Sequence, residues 1–307
     1  MISSVSMIIQ QRFDFKGSQA MNQQGTDSQS KDSKSINHAE RILIVGIDGS
    51  IGSSLFTRLP SLGFEVYGTS RNRSRLNTQV LFLDLENPNL SLLQNEFSAA
   101  IICASVTNIV TCERDPVQSR KINVIGTIAL IDSLIQSGCF VIFLSTNAVF
   151  DGGKAFPTIE DIPNPITNYG YFKREVEIYL EESKFGSGAI LRLTKLMTND
   201  ARFLVGWRDL ASNNQPIPAF INTMLSHITI EEVISSIYNI LGARESGTFQ
   251  LGGLVEESYF DFAVNHFRDS PASLALLVES VDPSVPPNTI RHNSLLTVLP
   301  NWNQTHA

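Results

Sequence analysis

A glycine-rich loop between an apolar strand and a helix most constrains the fold of this chain. The run ILIVG (42–46) is typical of a buried parallel strand, and residues 50–62 carry apolar side chains at helical spacing. Between them, GIDGSIG (46–52) has GxxGxxG spacing, in which glycines permit a tight turn, approach of a pyrophosphate and close helix–strand packing. The segment predicts a dinucleotide site at the helix N-terminus, formed by Gly46, Asp48, Gly49, Ser50, Ile51 and Gly52.

Further strands and helices alternate after this loop. Helical segments are predicted over 114–137 and 169–184, and the apolar runs between the helices predict strands at 65–70, 80–85, 99–105, 140–146 and 189–194. This alternation indicates an α/β protein with a Rossmann-type, doubly wound parallel sheet.

The pattern weakens after residue 194. We predict a Rossmann domain over 39–194 and a smaller, interleaved substrate-binding lobe over 195–307. Within the lobe the sequence predicts helices near 202–212, 229–242 and 257–268 and a strand at 248–253, with about 225–245 returning to the Rossmann domain.

Composition narrows the classes of function. Of the 307 residues, 42% are hydrophobic and 17% charged, and the net charge of −7 comes with no basic stripe for nucleic acid. No apolar run reaches the length of a membrane span. Cys103, Cys112 and Cys139 form no CxxC pair, which argues against a disulfide framework or a metal site and favours a reducing, cytoplasmic setting.

The N-terminal residues have a different composition from the rest. Residues 16–38 are rich in Ser, Gln, Lys and Asp, so we expect residues 1–38 to be a disordered tail. Met21 is an alternative start for the natural product.

The end of the second predicted strand bears on cofactor choice. Ser70-Arg71 is followed by Arg73 and Arg75, and that turn contains no acid for a ribose 2′-hydroxyl. The turn therefore favours NADP(H), with NAD(H) as an alternative. The other interpretation of these arginines is a solvated basic turn. After the third strand, Asp84 and Leu85 are predicted on the adenine side.

Tyr169 and Lys173 form a YxxxK pair at the start of a helix, where residues i and i+4 share one face. A lysine ammonium beside the phenol favours phenolate and predicts a Tyr169 pKa below its reference value near 10. The pair therefore predicts general acid–base chemistry.

The motifs together resemble the extended short-chain dehydrogenase/reductases, and within them the dTDP-4-dehydrorhamnose reductase branch. The resemblance runs from about 41 to 195 and rests on the glycine loop, INVIGT (122–127), LSTNAVFDG (144–152), the segment from Glu160 to Pro165 and YGYFK (169–173). It implies that Tyr169 donates a proton, that Lys173 binds the nicotinamide ribose, that Thr146 bonds the substrate oxygen, and that Ala104, Ser105 and Asn123 belong to the cofactor site.

The chain departs from that branch on the substrate side. Asn147 replaces the usual aspartate, and the segment from Arg192 lacks the branch's aromatic pattern. We predict that Asn147 and Arg192 bind substrate.

The resemblance implies an NAD(P)-dependent reductase of a nucleotide-linked keto-deoxysugar. It makes a homodimer one option for the oligomeric state, which the sequence leaves open. Two alternatives stay open. One is a non-catalytic NADP-binding regulatory or scaffold protein, like the methionine adenosyltransferase β subunit. The other is a sugar-nucleotide epimerase.

Overall fold

A parallel sheet organises the chain. The computed structural model describes residues 39–93, 97–183 and 186–300. Along these residues the strands are β1 Arg41–Val45, β2 Glu65–Ser70, β3 Val80–Phe82, β4 Ala99–Ile102, β5 Phe140–Thr146, β6 Gly188–Leu193, β7 Lys195–Leu196, β8 Ile217–Phe220, β9 Met224–Leu225, β10 His227–Ile228, β11 Gly247–Leu251, β12 Glu257–Ser258 and β13 Leu277–Ser280.

Helices cover both faces of this sheet. They are α1 Ser50–Arg58, α2 Ile109–Arg114, α3 Pro116–Arg120, α4 Thr127–Gln136, α5 Asn168–Ser183, α6 Arg202–Ser212, α7 Ile230–Ala243, α8 Tyr259–Phe267 and α9 Pro271–Leu274. A π-helical segment, Lys121–Gly126, joins α3 to α4, and a short 3₁₀ turn, Asn147–Val149, follows β5.

The strand order places a binding crevice beside β1. Seven parallel strands run β11-β6-β5-β4-β1-β2-β3, so the chain proceeds outward from β1 to β3 and restarts at β4 on the other side of β1. In sheets of this kind, ligands bind at the carboxyl ends of the strands where the order reverses. The predicted fold class is confirmed, and the crevice lies where the glycine loop follows β1.

Alternate residues of β1 enter two hydrophobic clusters, one on each face of the sheet. Ile42 and Ile44 pack with α1 and α7, whereas Leu43 and Val45 pack with α4 and α5. Side chains of successive strand residues point to opposite faces, so a strand covered on both sides is apolar throughout, as the run ILIVG is.

Several predicted boundaries differ from the structure. The helix predicted over 114–137 is divided, because Asp115 caps a new helix with Pro116 in its first turn and the π-helical segment follows. The strand predicted over 99–105 ends at Ile102, since the N–H groups of Cys103 and Ala104 both bond the Val45 carbonyl and the regular ladder stops there.

The C-terminal third contains a further hydrophobic cluster, to which α6, β8 and α8 contribute. In contrast, α7 packs into the same cluster as β1, and Thr229 and Glu232 form a capping box at its start. The helix α7 therefore packs against the parallel sheet. The smaller substrate-binding lobe and its bounds stay a prediction.

The predicted N-terminal tail, residues 1–38, lies outside the described residues, as does Met21. Among the helices that are described, none has the length and apolar character that a membrane span requires. Within the same part of the chain, His, Cys, Asp and Glu side chains form no cluster that could hold a metal ion.

Candidate functional site

The three loop glycines have different structural roles. Gly46 has a φ of +91°, and a Cβ there would lie 2.8 Å from the Ala104 Cβ. A Cβ on Gly52 would lie 2.2 Å from the Gly46 carbonyl oxygen. A Cβ on Gly49 would meet only that oxygen, at 3.9 Å. Gly46 and Gly52 therefore satisfy packing within the fold, while Gly49 leaves room above the loop for a ligand.

The start of α1 suits an anion. Gly49 is the N-cap residue, and no side chain caps the helix there in the described part of the chain. The first N–H groups of α1, which include those of Ser50 and Ile51, carry the positive end of the helix dipole. A pyrophosphate would satisfy these donors, so the residues present fit a dinucleotide.

The acidic side chain at the end of β2 is that of Asp48, a residue of the glycine loop. The Asp48 carboxylate accepts the Ser70 hydroxyl at 2.7 Å and Arg75 Nη1 at 2.8 Å. The Gly46 N–H donates to Thr69 Oγ1 at 3.1 Å, which ties the loop to β2. Sequence reasoning looked for an acid only in the turn after β2 and missed this placement, because the contact spans 22 residues of sequence.

The three arginines after β2 differ in their surroundings. Arg75 pairs with Asp48, and the Arg73 guanidinium lies 4.5 Å from the centre of the Phe82 ring. Arg71 is exposed and forms no hydrogen bond or ion pair with the residues described. Of the three, Arg71 therefore has the least restrained cationic group at this edge.

Asn123 holds the loop that follows β4. It is buried in the π-helical segment, and its Oδ1 accepts the Val106 N–H at 2.7 Å and the Ser105 hydroxyl at 3.0 Å. Its Nδ2 donates to the Val106 carbonyl at 2.9 Å. Asn123 therefore fixes the loop that carries Ala104 and Ser105, and its place in the cofactor site stays a prediction.

Asp84 and Leu85 form a turn beyond β3. Asp84 Oδ1 accepts the Glu86 N–H at 3.1 Å, and the Leu85 side chain is buried. A Cβ on Gly126 would lie 1.8 Å from the Leu85 carbonyl oxygen, so this glycine lets the helix pack against the turn. Their contact with an adenine ring stays a prediction.

Thr146, Tyr169 and Lys173 come together at the carboxyl end of β5. Thr146 is the last residue of β5, and its side chain forms a hydrogen bond with Tyr169. Lys173 lies one turn beyond Tyr169 in α5, and its buried Nζ donates to the Leu144 carbonyl at 2.9 Å. The Lys173 Nζ is 6.0 Å from the Tyr169 ring centre.

The predicted lowering of the Tyr169 pKa is wrong, because the structure raises it. Burial raises the pKa of Tyr169 to about 12, and the hydrogen bond with Thr146 only partly opposes that rise. Burial also lowers the pKa of Lys173 to about 8. Proximity in a YxxxK pair favours phenolate, but desolvation of the phenolate is the larger effect in this site.

Asn147 is held by the C-terminal part of the chain. Its Nδ2 donates to the Asn293 carbonyl at 3.2 Å and to Asn293 Oδ1 at 3.3 Å. An aspartate has no donor to offer these oxygens. This requirement gives a structural reason for asparagine at a position where the resembling branch has an acid.

The prediction that Arg192 binds substrate is contradicted. Arg192 is 2% exposed on β6, and its Nε and Nη2 donate to the two carboxylate oxygens of Glu177 at 3.0 and 2.9 Å. Its Nη1 donates to Gln250 Oε1 at 3.2 Å. The guanidinium therefore links β6, α5 and β11 inside the protein and does not face the crevice.

These elements define the class of the protein. A glycine loop after β1 and a Thr–Tyr–Lys group at the end of β5, on a seven-stranded parallel sheet, place the chain among the extended short-chain dehydrogenase/reductases, as the motifs predicted. Over residues 40–294 it matches the family described as the RmlD substrate binding domain, and it belongs to that family.

Individual relatives are more distant. The methionine adenosyltransferase 2 subunit beta of Rattus norvegicus is 28% identical over 160 residues, which are 52% of this chain and 47% of that protein. The chain thus spans about half the length of the curated relatives it matches.

Solved structures agree over most of the chain. A dTDP-4-dehydrorhamnose reductase from Clostridium acetobutylicum superposes with a TM-score of 0.72 at 23% identity, covering 83% of this chain and 89% of that one. The Bacillus anthracis dTDP-4-dehydrorhamnose reductase in complex with NADP gives 0.72 at 18% identity, with 85% and 90% covered. At these identities the likeness shows the fold.

Proposed function

We propose that the protein is an NAD(P)-dependent reductase of a keto group on a nucleotide-linked sugar. The observation that carries this proposal is the grouping of Thr146, Tyr169 and Lys173 beside the crevice that the glycine loop borders. Membership of the RmlD family and a fold shared with dTDP-4-dehydrorhamnose reductases support it. The identity of the sugar stays open.

In this reaction Tyr169 donates the proton to the carbonyl oxygen. Its raised pKa keeps the phenol in the protonated form that a donor needs at neutral pH. The Thr146 hydroxyl donates its single proton to the same substrate oxygen and gives up its bond to the phenol when the carbonyl binds. The Leu144 carbonyl takes one of the three N–H donors of Lys173, and the other two bind ribose hydroxyls. A bound nicotinamide dinucleotide supplies the hydride.

The glycine loop yields a test of dinucleotide binding. Gly49→Val should weaken NADPH binding at least tenfold, because its side chain occupies the space above the loop, yet it should leave the melting temperature nearly unchanged since no protein atom lies close. Fluorescence titration with NADPH measures the affinity. Gly52→Ala is the matched variant: its Cβ would collide with the Gly46 carbonyl, so it should lower the melting temperature. Unchanged affinity in folded Gly49→Val would rule out the glycine-loop site.

The surroundings of Asp48 and Arg71 predict cofactor preference. Wild type should bind NADPH several-fold more tightly than NADH, because the exposed Arg71 can form a charge-assisted hydrogen bond with the 2′-phosphate. Such a bond contributes roughly tenfold to affinity. Arg71→Ala should therefore remove most of the preference. Asp48→Asn should increase the preference for NADPH, since the carboxylate repels a 2′-phosphate.

Arg268→Ala removes an exposed charge at the end of α8 and is the control for these titrations. Equal affinities of the wild type for NADPH and NADH would contradict the assignment of Arg71 as the residue that binds the 2′-phosphate.

A second candidate is a regulatory protein that binds the cofactor without turning over a substrate. The match to the methionine adenosyltransferase 2 subunit beta over 52% of this chain favours it. NADPH oxidation in the presence of a panel of nucleotide-linked 4-ketosugars distinguishes the two functions. Tight NADPH binding without turnover across the whole panel would favour the regulatory function.

A further inference from the structure

Glu256 and His292 form a polar pair that the proposed reaction does not use. The Glu256 side chain is 5% exposed, and its Oε2 lies 2.7 Å from His292 Nδ1. Its Oε1 accepts the N–H groups of Asn293 and Ser294 at 2.7 and 2.9 Å. With three hydrogen bonds to one short segment, the carboxylate has a single orientation and so does the imidazole that it contacts.

The histidine of this pair lies at the cleft that contains the residues following β5. His292 lines a cavity of about 190 Å³ together with Asn147, Ala148, Thr167, Thr223 and Asn293. The His292 N–H donates to the Gly152 carbonyl at 2.9 Å, and Asn147 holds the neighbouring Asn293.

Asn147 directly follows Thr146, the hydrogen-bond partner of Tyr169. A chain of adjacent residues and hydrogen bonds thus connects His292 to the proton donor.

The Glu256 carboxylate also determines which ring nitrogen of His292 carries the proton. An ionised carboxylate can only accept, so the ring proton of neutral His292 resides on Nδ1. Nε2 then carries a lone pair, and no residue in the described part of the chain bonds it. A lone pair accepts a hydrogen bond from a hydroxyl group and offers nothing to a phosphate oxygen or a carbonyl.

We infer that His292, oriented by Glu256, binds a ring hydroxyl of the sugar while Tyr169 and Thr146 contact its carbonyl oxygen. Glu256 is the positioning residue of this site. The inference rests on the proposed function and deepens it, because it specifies a substrate with a hydroxyl group on the ring near the reacting carbon. The sequence contained no signal for it, since residues 256 and 292 are distant along the chain and belong to no motif.

The test compares UDP-glucose with UDP by isothermal titration on the full chain, since only the first ligand has a sugar. His292→Phe preserves the ring volume but removes the acceptor, and should weaken UDP-glucose binding about two- to tenfold while UDP binding is unchanged. His292→Gln retains an acceptor and should recover part of the loss. His266→Phe, in α8 and outside the cavity lining, is the matched control.

Glu256→Gln tests the positioning role separately. Its amide can donate to Nδ1, which moves the ring proton to Nε2 and turns the acceptor into a donor. Ring ¹⁵N chemical shifts of His292 should show this exchange of tautomers, and UDP-glucose affinity should fall as in His292→Phe. A merely structural role for Glu256 would not move these shifts.

The outcomes separate this inference from the proposed function. Wild-type binding of UDP-glucose with no effect of folded His292→Phe or His292→Gln would overturn the role of His292 and leave the proposed function standing. Equal losses for UDP and UDP-glucose would overturn it as well, because the contact would then be to the nucleotide. Failure of the wild type to bind either ligand, with NADPH binding intact, would overturn this inference, and turnover of the nucleotide-sugar panel would then decide the proposed function separately.

Discussion

Tyr169→Phe should lower the rate of NADPH-dependent carbonyl reduction by about 10²- to 10⁴-fold while dinucleotide affinity changes little. The substitution keeps the aromatic ring and its packing but removes the phenol proton that the proposed reaction uses. Steady-state kinetics with the best substrate of the nucleotide-sugar panel, together with NADPH titration, measure the two effects.

Tyr171→Phe is the matched control for this experiment. Tyr171 lies in the same helix two residues further on, and it is 55% exposed. Removing its hydroxyl should leave the rate unchanged. A Tyr169→Phe enzyme that retains the wild-type rate would show that another group delivers the proton.

Arg192→Met should destabilise the protein by about 3–5 kcal/mol, because it leaves the Glu177 carboxylate buried without its main partner. Glu177 is fully buried, and its remaining contacts are the Ser145 hydroxyl and the partly buried Arg174. The free energy of unfolding from urea titration measures the loss.

The double variant Glu177→Leu with Arg192→Met separates a structural role from substrate binding. Replacing both members of a buried ion pair by apolar side chains is often nearly neutral, so the double variant should regain much of the lost stability. A change in KM with full stability in Arg192→Met would instead restore the earlier interpretation of Arg192 as a substrate ligand.

One departure of this chain from the branch that it resembles, Asn147, lies beside a segment near the C-terminus. Asn147 contacts Asn293, and Asn293 belongs to the segment that Glu256 holds together with His292. This side of the cleft is therefore built from residues after β5 and residues near the C-terminus. Substitutions at Asn147 should be interpreted together with this segment, because an aspartate there would face two oxygens of Asn293.

The sequence alone determined the sheet, the glycine loop and the Tyr169–Lys173 pair, and only the family resemblance added Thr146 to them. These features depend on local patterns: apolar runs bounded by turns, glycines at fixed spacing, and two side chains one helical turn apart. Such patterns predict the approximate place of a helix or strand and the side chains on it, without knowledge of the elements that pack against it.

Tertiary structure decided which partner each polar side chain meets and how far it is desolvated. Asp48 meets Ser70 and Arg75, and Arg192 meets Glu177, because strand order in the sheet brings distant segments into contact. Burial raises the pKa of Tyr169, although a lysine lies one helical turn away. Desolvation and hydrogen bonding depend on the whole packed environment, so a pattern along the chain does not contain them.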